Sequence, residues 1–185
     1  MSKHQPAPGM LLLAEPFLPD PNFFRTVVLL VEHNMEGTLG VVLNRPAPVG
    51  VKEVTDFFGD VDYPLFIGGP VQRDMLHALH SLPMLEPQSR KIMPGLYWTA
   101  DMRSIRALLA TRDIPASMLR FYVGYAGWAV GQLDIEMRAS SWILTPAQRE
   151  YVFSPEPENL WRRVLTDMGG KFAFIATFPD DPRVN

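Results

Sequence analysis

The chain has 185 residues, of which 47% are apolar and 20% charged, and its net charge is −3. That balance belongs to a globular chain able to bury a core; it excludes a disordered one and argues against a dedicated nucleic-acid surface. The absence of cysteine excludes disulfides, thiolate metal sites and thiol nucleophiles.

In chain order, the first apolar run is Met10 to Ala14, which reads as a short strand. It meets Glu15 and Pro16 far short of the roughly 7 to 15 apolar residues of an export signal. No stretch approaches the about 20 needed to cross a membrane, so a cytoplasmic protein without membrane contact is expected. Pro16, Pro19 and Pro21 impose an extended link. Phe23 to Val31 is the strongest strand signal, and within it Val27 to Val31 is unbroken apolar and rich in β-branching, as in a strand buried on both faces. With a turn at residues 33–37 and a second strand from Thr38 to Leu43, it predicts a β-hairpin. A helix is expected over Val51–Phe58, and strands over Pro64–Ile67, Met75–Leu82 and Gly95–Thr99. Asp101 is placed to cap a helix running to Ala110.

Met118 to Val123 predicts a core strand that breaks at Gly124-Tyr125-Ala126-Gly127-Trp128, with a helix over 129–138 and a short strand over Trp142–Leu144. Ser154 and Pro155 read as the start of a helix with Leu160, Trp161, Val164, Leu165 and Met168 on its apolar face, stopped by Gly169. Lys171 to Phe178 predicts a terminal strand. One domain over residues 1–185 is expected, with tails at 1–8 and 179–185. Interleaved strands and helices with a hairpin make the fold class α/β mixed (α+β), with a mixed sheet.

Candidate chemistry falls in four segments. The glycine-rich stretch 124–131 would let a backbone approach a ligand, with free amides at the following helix start. Glu32, His33 and Asn34 fall at the same end of the predicted hairpin as Asn44 and Arg45, and such a set can hold a small anionic group. Gly68-Gly69-Pro70 adds a third bend. Ordinary turn chemistry accounts for the same residues more simply. His77 and His80 point to opposite faces if their segment is a strand, and no carboxylate completes a zinc motif. No metal and no cofactor is therefore expected. No Gly-x-Ser-x-Gly elbow is present. Arg103, Arg106 and Arg112 lie on a solvated helix face, with no recognition helix following.

Taken together, the segments resemble the YqgE/AlgH family of bacterial proteins. The resemblance rests on Pro8-Gly9-Met10-Leu11-Leu12-Leu13-Ala14, on Asp20 to Val28, on Glu32-His33-Asn34 with Gly37, and on Gly40-Val41-Val42-Leu43-Asn44-Arg45-Pro46. Gly68-Gly69-Pro70-Val71, Leu79-His80, Gly124 to Trp128 and Gly131-Gln132-Leu133 follow in order. The end departs from the family pattern: a short Gly-His-Ala-like tail is expected there, whereas this chain continues from Phe172 to Asn185. The resemblance implies a compact fold with a branched, partly barrel-like sheet surrounded by helices, in a bacterial cytosolic protein. It supplies no reaction. The AlgH name implies a transcriptional regulator of exopolysaccharide production, and because charge and motifs do not support direct DNA contact, indirect regulation is expected.

The leading expectation is thus a non-catalytic binding or regulatory protein, recognising a protein or a small anionic ligand through Glu32, His33, Asn34, Asn44, Arg45, Gly68, Gly69, Gly124, Tyr125, Gly127 and Trp128. The alternative is an enzyme on a small anionic substrate, with His33 or His80 as base and Arg45 as anion clamp.

Overall fold

The unbroken apolar runs become strands covered on both faces. In β1 (Met10–Ala14) and β2 (Val27–Asn34), Leu11, Leu13, Val27, Leu29 and Val31 enter an inner core. Leu12, Ala14, Val28 and Leu30 enter an outer one. Successive side chains point to opposite faces, so a strand sandwiched between two cores has no polar face to show. These features come from a computed structural model, which describes residues 4–179. The outermost parts of both expected tails, residues 1–3 and 180–185, lie outside the described residues.

The hairpin is present, formed by β2 and β3 (Gly37–Val42) with a bulge between Leu30 and Glu32. β2 begins later than expected, because the amides of Phe23 and Phe24 bond the Asp20 carbonyl in a turn. β4 (Pro46–Gly50) was not foreseen. It is a proline-rich edge that touches β5 (Pro64–Ile67) at Pro46 and Gly50, a place where missing amide donors are tolerated. The helix expected over 51–58 is confined to α1 (Val51–Val54), because Thr55 is extended and its hydroxyl accepts the Phe57 amide.

β6 (Val71–His80) is longer at its start than its apolar pattern suggested. A 3-10 turn at Pro83–Gln88 leads to β7 (Arg90–Met93), which the sequence did not signal, and β8 (Leu96–Thr99). Asp101 caps α2 (Met102–Leu109) as expected, accepting the Arg103 and Ser104 amides at 3.2 and 3.3 Å.

The largest correction concerns β9 (Leu119–Trp128). The strand does not break at Val123; it runs straight through the glycines. α3 (Gln132–Arg138) starts after Gly131 rather than at Ala129. β10 (Trp142–Pro146) and α4 (Arg149–Val152) follow. Ser154 does not cap a helix: Glu156, which precedes Pro157, is held out of helical geometry, a 3-10 turn spans Pro157–Asn159, and α5 (Leu160–Met168) starts only then. The terminal strand expected over 171–178 is instead α6 (Gly170–Ile175). Phe172, Ile175 and Ala176 pack on the inner core at helical spacing, while Phe174 faces solvent.

Among the described residues ten strands form one sheet in the order β10-β1-β2-β3-β9-β6-β8-β7, with β4 and β5 branching from it. β9 is the branch strand. β6 lies along one flank; the other flank carries β5, parallel, at Phe121–Val123 and then β3, antiparallel, at Ala126–Trp128. The sheet is open. β7 nevertheless curls back towards β2, where Arg90 pairs with Glu32 at 3.3 Å. Helices α4, α5 and α6 cover the inner core, α1 and α2 cover the outer side of β5, β6 and β9, and α3 covers the outer side of β1 to β3. Among the described residues no helix is long and apolar enough to cross a membrane.

Candidate functional site

The exchange of partners along β9 requires two backbones to cross. At the crossing Gly68 and Gly69 lie against Gly124 and Tyr125. A Cβ on Gly68 would stand 2.3 Å from the Gly124 carbonyl oxygen, and one on Gly69 would stand 2.1 Å from the Tyr125 carbonyl carbon. Gly69 and Gly124 also hold φ of 154° and 70°, which favour glycine. Three of the glycines singled out in the sequence are therefore spent on chain crossing.

His77 pins this crossing. Its Nδ1 accepts the Trp98 indole N–H at 3.0 Å, which leaves Nε2–H to donate to the Gly124 carbonyl at 2.7 Å. The ring is fully buried and stacks on Tyr122 at an interplanar angle of 13°. Burial lowers its pKa, so the neutral ring is favoured. His80, facing the other way, donates from Nε2 to Ser89 Oγ at 2.8 Å and accepts the Leu82 amide on Nδ1 at 3.2 Å. The Ser89 hydroxyl in turn donates a hydrogen bond to the Leu85 carbonyl, fixing these roles. Burial brings the His80 pKa down to about 4.

Beyond the crossing, five of the predicted residues share one trough. Glu32, Asn34, Tyr125, Gly127 and Trp128 line a cleft of about 430 Å³ together with Glu36, Gly37, Thr38, Leu39 and Val71. Register explains the grouping: Glu32 sits opposite Leu39, and Leu39 opposite Gly127, so the three form one row across β2, β3 and β9. Gly127 carries no side chain and forms the floor, while Gly37 lies against the Trp128 carbonyl, which a Cβ there would meet at 2.5 Å. A Cβ at Gly127 would come no closer than 3.5 Å to the Tyr125 ring, so the floor has room. Glu32 is shared between Arg90 and the Asn34 amide, whereas the exposed Glu36 carboxylate forms no ion pair among the described residues.

Trp128 forms the back of the trough from the opposite side of the sheet. It packs with Phe23 and Trp142, and its indole donates to Glu136 of α3 at 2.8 Å. His33 bonds Thr38 through Nδ1 at 2.7 Å.

Asn44 and Arg45 go elsewhere. Asn44 is buried, accepts the Val27 amide and donates to the Arg25 carbonyl, which fixes the turn before β2. Arg45 donates to the Phe24 and Asn44 carbonyls and lines a separate cleft of about 180 Å³ with Gly69, Pro70 and Arg73. Neither His33 nor His80 lines that cleft. Among the described residues no three His, Asp or Glu side chains gather as a metal site.

Sequence reasoning missed Glu36, Leu39, Val71 and Arg73. The bulge in β2 and the length of β6 set their positions, and neither has a local signature.

Comparison with known proteins places this geometry in a lineage. The sequence model of a family described as AlgH-like matches residues 11–173. A UPF0301 protein of Chlorobaculum tepidum is 43% identical over 178 residues, covering 96% of this chain and 95% of its own length. Another from Thermobifida fusca is 41% identical, covering 96% and 94%. Matches of this span take in the helix α6, whereas the family model stops at residue 173. Among solved structures, a crystal structure of a Corynebacterium diphtheriae protein superposes with a TM-score of 0.80 at 27% identity, covering 96% of this chain and 95% of that one. The solution structure of the AlgH protein from Pseudomonas aeruginosa gives 0.74 at 28% identity, covering 97% and 98%.

Proposed function

The chain belongs to the AlgH-like family, and we propose that it works there as a non-catalytic binding protein whose trough on β2, β3 and β9 receives a protein segment. The observation that carries this reading is the side-chain-free floor at Gly127, flanked by Leu39, Val71 and Tyr125 and lined also by Glu32 and Glu36. An apolar side chain of a partner fits such a floor, and a neighbouring lysine or arginine of that partner suits the unmatched Glu36 carboxylate. The acidic rim disfavours an anion at this place. Any regulatory role would then be exerted through the bound protein, as expected for a chain whose charge does not suit DNA.

The enzymatic alternative has less support. The His80 nitrogens serve Ser89 and Leu82, and its pKa of about 4 leaves it a weak base. Arg45 lies in a cleft that contains neither histidine.

Selection from a displayed random-peptide library tests the proposal. The wild-type protein should enrich peptides carrying a basic residue beside an aliphatic one. Gly127→Leu, which fills the floor, and Glu36→Lys, which inverts the rim, should each abolish that enrichment at unchanged melting temperature. Equal enrichment by all three proteins, or none by the wild type, refutes the reading.

A further inference from the structure

The cleft beside Arg45 has a chemistry opposite to that of the trough. Its lining residues are Pro21, Asn22, Val42, Arg45, Ile67, Gly69, Pro70 and Arg73, with no carboxylate among them. The Arg45 guanidinium is half-buried and spends two donors on the Phe24 and Asn44 carbonyls. Neither Arg45 nor Arg73 forms an ion pair among the described residues, and Arg73 forms no hydrogen bond there either. A partly desolvated cation without an acid beside it attracts an anion. Burial also lowers the Arg45 pKa, the direction expected for a cation short of compensation.

The backbone is bent to bring Arg73 here. β6 departs from β9 between Val71 and Leu76, and Gln72 holds a φ of 46°, an unusual value for a residue with a side chain. The excursion sets Arg73 on the rim shared with a second, larger cleft.

That second cleft, of about 520 Å³, also contains Ile67 and Arg73. Its other lining is mostly aliphatic: Ala47, Val49, Val54, Leu65, Leu76 and Val123, with Thr55 and Asp74. Val49 and Val54 stand 41% and 49% exposed, a costly placement for adjacent apolar side chains. The lining of both clefts together carries two guanidinium groups and one carboxylate.

We infer that these adjoining clefts form one binding site for a small amphiphilic anion, with a carboxylate or phosphate head between Arg45 and Arg73 and an aliphatic body along Val49, Val54 and Leu76. The two arginines and Asn22 supply donors to anionic oxygens, and the aliphatic wall takes the body out of water. The site is separate from the trough and stands without it.

Titration followed by backbone amide NMR shifts, with all ligands below their aggregation limits, decides the matter. Octyl phosphate and octanoate supply the two head groups, octanol lacks the charge, and inorganic phosphate lacks the body. At least one charged octyl ligand should bind with a Kd at least tenfold below those of octanol and inorganic phosphate, shifting the amides of Arg45, Ala47, Val49, Val54 and Thr55 and of residues 72–76. Butyl phosphate should bind more weakly than octyl phosphate. Arg73→Gln, at an exposed position, should weaken the charged octyl ligand at least fivefold without changing the melting temperature. Equal affinity for octanol, indifference to chain length, or wild-type affinity in Arg73→Gln overturns the inference. Gly127→Leu should leave this binding intact, so failure here and failure of the trough are told apart.

Discussion

Trp128 and Trp142 donate their indole N–H groups to the same oxygen, Oε2 of Glu136, at 2.8 and 2.7 Å. The two rings meet edge to face at 5.9 Å, and each is only 5% exposed. One carboxylate on α3 thereby ties β9 to β10, strands separated by β1, β2 and β3 in the sheet order.

Glu136→Ala would leave both buried donors without an acceptor. The expected loss is about 2–4 kcal/mol, from the cost of two unsatisfied groups. Glu136→Gln keeps an acceptor oxygen and should lose markedly less. Denaturant unfolding of the two variants measures the difference, and equal stabilities would show that the shared acceptor contributes little.

The glycines divide into two classes that substitution separates. Gly68→Ala puts a methyl 2.3 Å from the Gly124 carbonyl and should destabilise by at least about 3 kcal/mol, through overpacking of rigid backbone. Gly127→Ala meets only ordinary contact, 3.5 Å to the Tyr125 ring, and should stay within about 0.5 kcal/mol of wild type. Thermal melts of both variants check this contrast.

His80 gives stability a pH dependence with a definite sign. Its folded pKa of about 4 lies below the ordinary 6.5, so the unfolded chain takes up the proton first. The contribution is fully present above about pH 6.5 and is lost as the pH falls towards 4. Its upper size is about 3 kcal/mol, at 1.36 kcal/mol per pKa unit. Replacing the ring by a side chain that does not titrate, as in His80→Gln, should flatten unfolding free energy against pH across this window. An unchanged slope would remove His80 as the cause.

The last helix is anchored from the far end of the chain. Arg25 Nη2 donates to the Phe178 carbonyl at 3.0 Å, its guanidinium lies 4.7 Å from the Trp161 ring centroid, and Phe17 stacks on Phe178. Removing residues from Lys171 onward uncovers the inner core where Phe172 and Ile175 pack. A loss of about 3 kcal/mol is expected from that apolar surface, measured by chemical denaturation.

Legibility in the sequence followed the range of the forces involved. Met10–Ala14, Pro64–Ile67 and the Asp101-capped helix were readable because short apolar runs and a side-chain cap act within a few residues. The course of β9 was not, because glycine at 124 and 127 ordinarily interrupts a strand, and only the crossing by Gly68 and Gly69 shows why it persists here. Residues 171–178 offered both an alternating and a helical pattern; the packing of Phe172, Ile175 and Ala176 decided for the helix. Of the candidate residues, the motifs were visible, but their division between a crossing, a trough and an arginine cleft depends on a bulge and a register that arise only when distant strands meet.

Because β9 serves as a common member of both branches, neither branch possesses a complete set of hydrogen-bonded neighbours without it. Detaching that one segment unzips β3, β5 and β6 together. The molecule should therefore open as a single cooperative unit, with the amides at the centre of β9 exchanging with deuterium only at the free energy of global unfolding. Neither half expressed as a fragment would inherit a stable edge on which to fold.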